Sequence, residues 1–255
     1  MQGSIRLKAM LSAAVLVAMA GVAGGVADAQ QVAERFRFPS GVGSTVSVAT
    51  LRIPEKAWKH FEKAKDAAQH NRLAESDRET QKALVIAPDF AAAYLLRADS
   101  ELRQHAYEAA IADVKQARRV EPDLMWSGIV LAGAYNGLRR YGDARLVLNG
   151  LHGPEAEAWQ AAYERARTAT GLNDLEGALH WSAVALDAAP EEFPDVLLVR
   201  TNAFLEAKRW SEAQAQMELY LQAKGPLDRR AEVMAMLDRV KRLAREDELQ
   251  KLASR

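Results

Sequence analysis

The sequence predicts an all-α fold, a solenoid of about five helical hairpins closed by one further helix. Small residues recur in helical contexts at Ala64, Ala98, Ala132 and Ala166, each 34 residues after the last. A second series, Ala110, Ala144 and Ala178, keeps the same interval, with Ser76 in the slot before it. Pro88 and Pro122 stand one period apart and Pro190 two periods further on, and Leu73, Tyr107, Tyr141 and Leu175 mark a fourth series. Separate series that share one period and hold phase mean a repeated supersecondary unit. Within a unit the apolar positions follow helical spacing, as in Ile111, Val114 and Ala117.

Residues 1–29 stand apart from the repeats. Arg6 and Lys8 precede an apolar or small run from Ala9 to Ala23, and Ala27-Asp28-Ala29 follows. A basic start, an apolar stretch and an A-x-A site read as a secretory signal peptide cut after Ala29. Ala9 to Ala27 is barely long enough to span a bilayer and is rich in Ala and Gly, which argues against a retained anchor. The expected compartment is the bacterial periplasm or the exterior, and the absence of cysteine fits an oxidising one. Residues 30–53 read as a linker, with Pro39–Thr45 supplying Pro, Gly and Ser. The sharper reading is a strap on the first helices or on another chain, anchored by Phe36 and Phe38.

The repeat resembles the tetratricopeptide repeat (TPR) family, whose unit is a helix carrying W-x2-L-G-x2-Y, a helix carrying A-x3-F, and a proline. In the clearest unit Tyr94 takes the tryptophan slot, Ala98 the glycine slot, Ala110 and Val114 the A-x3-F pair, and Pro122 ends it. Units fall at about 54–90, 91–124, 125–158, 159–193 and 194–226. The first is the most degenerate, and after Pro190 the phase slips by one residue through Glu191-Glu192-Phe193-Pro194. Pro54 reads as the opening residue of the first helix. Residues 227–255 read as a capping helix, Leu227–Leu252, with Val233, Met236, Leu237, Val240 and Ala244 as its buried stripe. The resemblance implies a right-handed superhelix whose first helices line a concave groove.

Composition and motifs exclude several functions. Lys plus Arg and Asp plus Glu both number 34, so the chain lacks the basic excess of a nucleic-acid binder. With no cysteine, thiolate catalysis and Cys-ligated zinc are excluded. The five histidines form no H-E-x-x-H, and no phosphate-loop, nucleophile-elbow or dinucleotide fingerprint is present. His70 and His105 read as helix C-terminal residues. Glu155/Glu157 and Glu191/Glu192 read as acids at helix starts, and Arg118-Arg119, Arg139-Arg140 and Lys208-Arg209 as last-turn cations. No catalytic residue, cofactor or metal is expected.

The expectation is therefore a non-catalytic interaction scaffold of the cell envelope that binds a protein or peptide, with neither a nucleic-acid ligand nor a stable membrane anchor after cleavage. By the resemblance, the groove includes Trp58, Phe61 and Lys65, then Leu95, Asp99 and Arg103, and then Trp126, Ile129 and Asn136. Tyr163 and Arg167 follow, with Leu198 and Asn202 at the end. Aromatic and Arg side chains around a concavity are what peptide hot spots use. Trp58 and Trp126 have a second reading as packing between hairpins, and Trp181 and Trp210 read as packing in second helices. A self-assembling homo-oligomer and an accessory subunit of an envelope enzyme are the alternatives.

Overall fold

The computed structural model describes residues 52–189, 193–223 and 229–253. The expected signal peptide, all of the linker but its last two residues, Pro190, Glu191, Glu192 and the start of the expected capping segment lie outside them. All twelve elements of the described residues are helices. They are α1 (Glu55–Gln69), α2 (Leu73–Ile86), α3 (Ala91–Arg103), α4 (Tyr107–Val120), α5 (Ser127–Gly137) and α6 (Tyr141–Asn149). After the one-turn α7 (Gly153–Glu157) come α8 (Trp159–Gly171), α9 (Leu175–Ala188), α10 (Asp195–Glu206), α11 (Trp210–Gln222) and α12 (Arg230–Ala253).

Adjacent helices pair as α1/α2, α3/α4, α5/α6, α8/α9 and α10/α11, and each second helix also packs on the next first helix. The first helices α1, α3, α5, α8 and α10 touch one another in sequence, and α12 covers α11. This is a helical-repeat solenoid, and the small-residue series explains its geometry. Ala64, Ala98, Ala132, Ala166, Ala110, Ala144, Ala178 and Ser76 are each 0 % exposed. A larger side chain at any of them would push two backbones apart. Central α5 has neighbours on both sides, and accordingly every residue from Ser127 to Ala134 is buried. The stripe expected for the terminal helix, Val233 through Ala244, is its buried set.

Each hairpin turns in the same way. Asn71, His105, Arg139, Asn173 and Lys208 have φ between 54° and 62°. Around each, two hydrogen bonds close the preceding helix. Arg72 N–H donates to Ala67 O and Asn71 N–H to Ala68 O, and the pattern recurs at Ala106, Arg140, Asp174 and Arg209. That is the Schellman motif, in which the left-handed residue lets its own amide and the next one reach back to orphaned carbonyls.

Several local expectations are corrected. Arg139-Arg140 and Lys208-Arg209 are not in a last helical turn: Arg139 and Lys208 are the left-handed turn residues, and Arg140 and Arg209 are N-caps of the following helices. There each meets an acid three residues on, Asp143 at 2.7 Å and Glu212 at 2.7 Å, which supplies the negative charge that a helix start favours. Pro54 is an extended N-cap rather than the first helical residue. Glu155 sits in α7 but serves another helix: its Oε1 accepts from Gly128 N–H at 2.9 Å and Ile129 N–H at 3.2 Å, capping α5. The third hairpin is also cut short, because Gly150 and Gly153-Pro154 end α6 early and leave α7 as filler.

Candidate protein-binding face

The first helices bring polar side chains into one row. On α3, Arg103 reaches back to the preceding hairpin, donating to Ala68 O at 3.0 Å and Asn71 Oδ1 at 2.6 Å, with Asp99 3.8 Å away. Between α5 and α8 lies a buried network. Asn136 Nδ2 donates to Glu164 Oε2 at 2.9 Å and to Glu164 O at 3.1 Å. Arg167 donates to both Glu164 carboxylate oxygens, at 2.8 and 3.0 Å, and Thr168 Oγ1 donates to Asn136 Oδ1 at 2.9 Å. Burial opposes the Arg167 charge, but the facing Glu164 carboxylate and Tyr163 outweigh it and hold the guanidinium pKa above its ordinary value. A buried carboxylate with its oxygens so occupied joins two hairpins and fixes the floor between them.

The sequence-derived groove residues divide on this geometry. Asn136, Arg167 and Tyr163 meet at the α5–α8 joint, and Asp99 and Arg103 at the α1–α3 joint. Lys65 lies on α1, paired with Glu62 at 2.8 Å. Asn202, on α10, has a buried Oδ1 without a hydrogen-bond partner. The apolar members do not form a free surface. Phe61, Leu95, Ile129 and Leu198 each belong to a hydrophobic cluster, the last three at 2 % exposure. Trp58 makes edge contacts with Phe61 and Phe90, at 5.5 and 4.7 Å between ring centroids, so it joins the first hairpin to the second. Trp126 takes its second reading, packing between hairpins, and not the groove. It precedes α5 as a left-handed N-cap at φ 72° and packs in the core with Leu95 and Ile129.

Sequence reasoning missed Glu164 and Thr168, which complete the network. The spacing Glu164–Arg167, an acid three residues before a base on one helix, was the available signal. It also missed a recurring arginine that ties first helices to their neighbours. Arg97 chelates Asp113 at 2.5 and 2.7 Å and reaches Gln81, Arg165 bonds Leu148 O and Ala156 O, and Arg200 bonds Leu179 O. Arg165 also stacks over Trp181, 4.7 Å from the ring centroid, which confirms a packing role for that tryptophan.

On α3, Glu101 has a pKa pushed up to about 7, first by burial and then by the Asp113 carboxylate, against the pull of Arg97. Among the described residues there is no cluster of His, Asp and Glu that could hold a metal, and no helix long and apolar enough to cross a membrane.

No family model and no curated protein matches the chain. Among solved structures, the chain is similar to MamA (residues 41 to the end) from Desulfovibrio magneticus RS-1, a TPR-like protein. The TM-score is 0.51 at 13% identity, covering 74% of this chain and 97% of that one. At that identity the likeness concerns the fold, and the fold is a TPR-like helical repeat.

Proposed function

We propose that the chain is a non-catalytic scaffold of the cell envelope, secreted by its leader, that holds an extended segment of another protein along its first-helix face. The observation that carries this reading is the Asn136–Glu164–Arg167–Thr168 network with its counterpart at Arg103: polar groups held by rigid helices, not loops, along one face. Largely buried and bonded to one another, these groups fix the angle between hairpins, so the face above them is preformed and a docking segment does not have to order the receptor.

The test is site-specific photo-crosslinking in an envelope extract. A crosslinker at Lys65 or Asn202, on the first-helix face, is expected to capture a defined peptide segment. The same group at Leu146, 72 % exposed on a second helix, is expected to capture none. Equal capture at all three positions, or capture at Leu146 alone, would remove the groove from the function.

A further inference from the structure

The last helix runs past its support. The buried residues of α12 end at Ala244, and none of the described side chains beyond it is buried, yet the helix continues to Ala253. On this overhang Leu249 and Leu252 are each 66 % exposed, and at a spacing of three they share one face. Glu246 and Glu248 beside them are exposed as well. Two or three helical turns without a packing partner are marginal in water. An exposed apolar pair on such a helix is the pattern by which a helix enters an apolar groove.

The opposite end of the array carries a matching recess. A cavity of about 570 Å³ opens between the segment entering α1, the α2–α3 loop and the last turn of α4. Ile53, Ile86 and Val120 give it an apolar lining. Arg52 and Arg119 also line it, both exposed, and neither has an ion pair among the described residues. One acid, Asp89, lies on the wall. The volume falls in the range of sites that enclose a small apolar group with a few polar contacts.

We infer that the α12 overhang of one molecule docks in this recess of a second copy, with Leu249 and Leu252 on the apolar lining and Glu246 and Glu248 against Arg52 and Arg119. The two surfaces complement each other in both apolar character and charge, and they lie at opposite ends of one solenoid. The contact is therefore head-to-tail, and repetition gives open-ended chains unless the rotation happens to close a ring. It leaves the first-helix face free, so it stands apart from the groove reading.

Sedimentation velocity of the purified protein over a concentration series tests it. The wild type is expected to grow in mass with concentration and to shift toward monomer in high salt. A tail variant, Leu249→Ser with Leu252→Ser, and a recess variant, Arg52→Glu with Arg119→Glu, are each expected to stay monomeric to at least tenfold higher concentration. All four side chains are exposed, so both variants should keep the helical circular dichroism of the wild type. Mixed together, the two supply one intact tail and one intact recess, and a one-to-one dimer should form. A wild type that stays monomeric at every concentration overturns the inference. So does association that survives both variants, or a mixture of folded variants that fails to dimerise.

Discussion

The left-handed turn residues show how strongly the hairpin geometry overrides local preference. Five occur, and none is glycine, although a left-handed L-residue costs about 1–2 kcal/mol. Asn71 has a compensation, since its side chain accepts from Arg103. Arg139 has no such bond and is exposed. Replacing Arg139 with Gly is therefore expected to stabilise the protein by about 0.5–1 kcal/mol, the relief of strain exceeding glycine's added freedom in the unfolded chain. Chemical denaturation checks the sign.

Glu101 gives a second residue-scale prediction. One of its oxygens, Oε2, is buried without a hydrogen-bond partner, and its carboxyl meets Asp113. Its folded pKa of about 7 lies above the ordinary 4.5, so the folded state binds more protons than the unfolded one between those values. The favourable contribution is complete below about pH 4.5 and is lost as pH rises through 7. Glu101→Gln is expected to raise the melting temperature at pH 8.5 and to change it much less at pH 5. An equal effect at both pH values would contradict the assignment.

At the scale of elements, the joints between hairpins work by size matching. A Cβ on Gly137 would lie 2.3 Å from the Tyr107 ring, and one on Gly171 would lie 2.3 Å from the Tyr141 ring. Both pairs span 30 residues and recur at the 34-residue period, so a tyrosine opening a second helix always meets a glycine closing the next first helix. Where the second helix opens with Leu73 or Leu175, the corresponding positions carry Arg103 and Leu205 instead. Gly171→Ala is therefore expected to destabilise by about 1–3 kcal/mol through overpacking, despite alanine's better helix propensity. Adding Tyr141→Leu should recover part of that loss, a coupling that a double-mutant cycle reads directly. The aromatic plugs follow a similar logic: Phe90 packs on Phe61 at 4.9 Å, and Phe193 packs on Tyr163 at 5.4 Å across the phase slip.

Over the whole molecule, stability is distributed along one dimension. Each hairpin packs on its immediate neighbours, so the free energy is close to a sum of hairpin and interface terms. The polar links are placed at those interfaces: Arg103 to the first hairpin, Asn136 and Thr168 between the third and fourth, and Arg200 to α9. They hold the angle between units, and hence the shape of the face that a partner would meet. The α12 overhang ends the array with no described side chain buried, which is why it is the end expected to find a partner outside it.

The sequence by itself determined the class of fold, the pairing of helices and the register, because period and phase survive in the residues wherever two backbones must approach closely. Ala64 through Ala166 and Ala110 through Ala178 are legible for that reason: their size is set by a contact that every unit repeats. The resemblance to the TPR repeat also placed Asn136, Tyr163 and Arg167 on one face, although they stand on two helices, α5 and α8. Only the tertiary structure decided which face residues are consumed by packing. Leu95, Ile129, Leu198 and Trp126 look like contact residues in a linear reading but are covered by neighbouring helices, because burial depends on what stands opposite, and no local pattern encodes that. The same holds for Glu155, which caps a helix 27 residues earlier in the chain, and for Glu164, whose partners Asn136 and Arg167 come from two helices brought together by the fold.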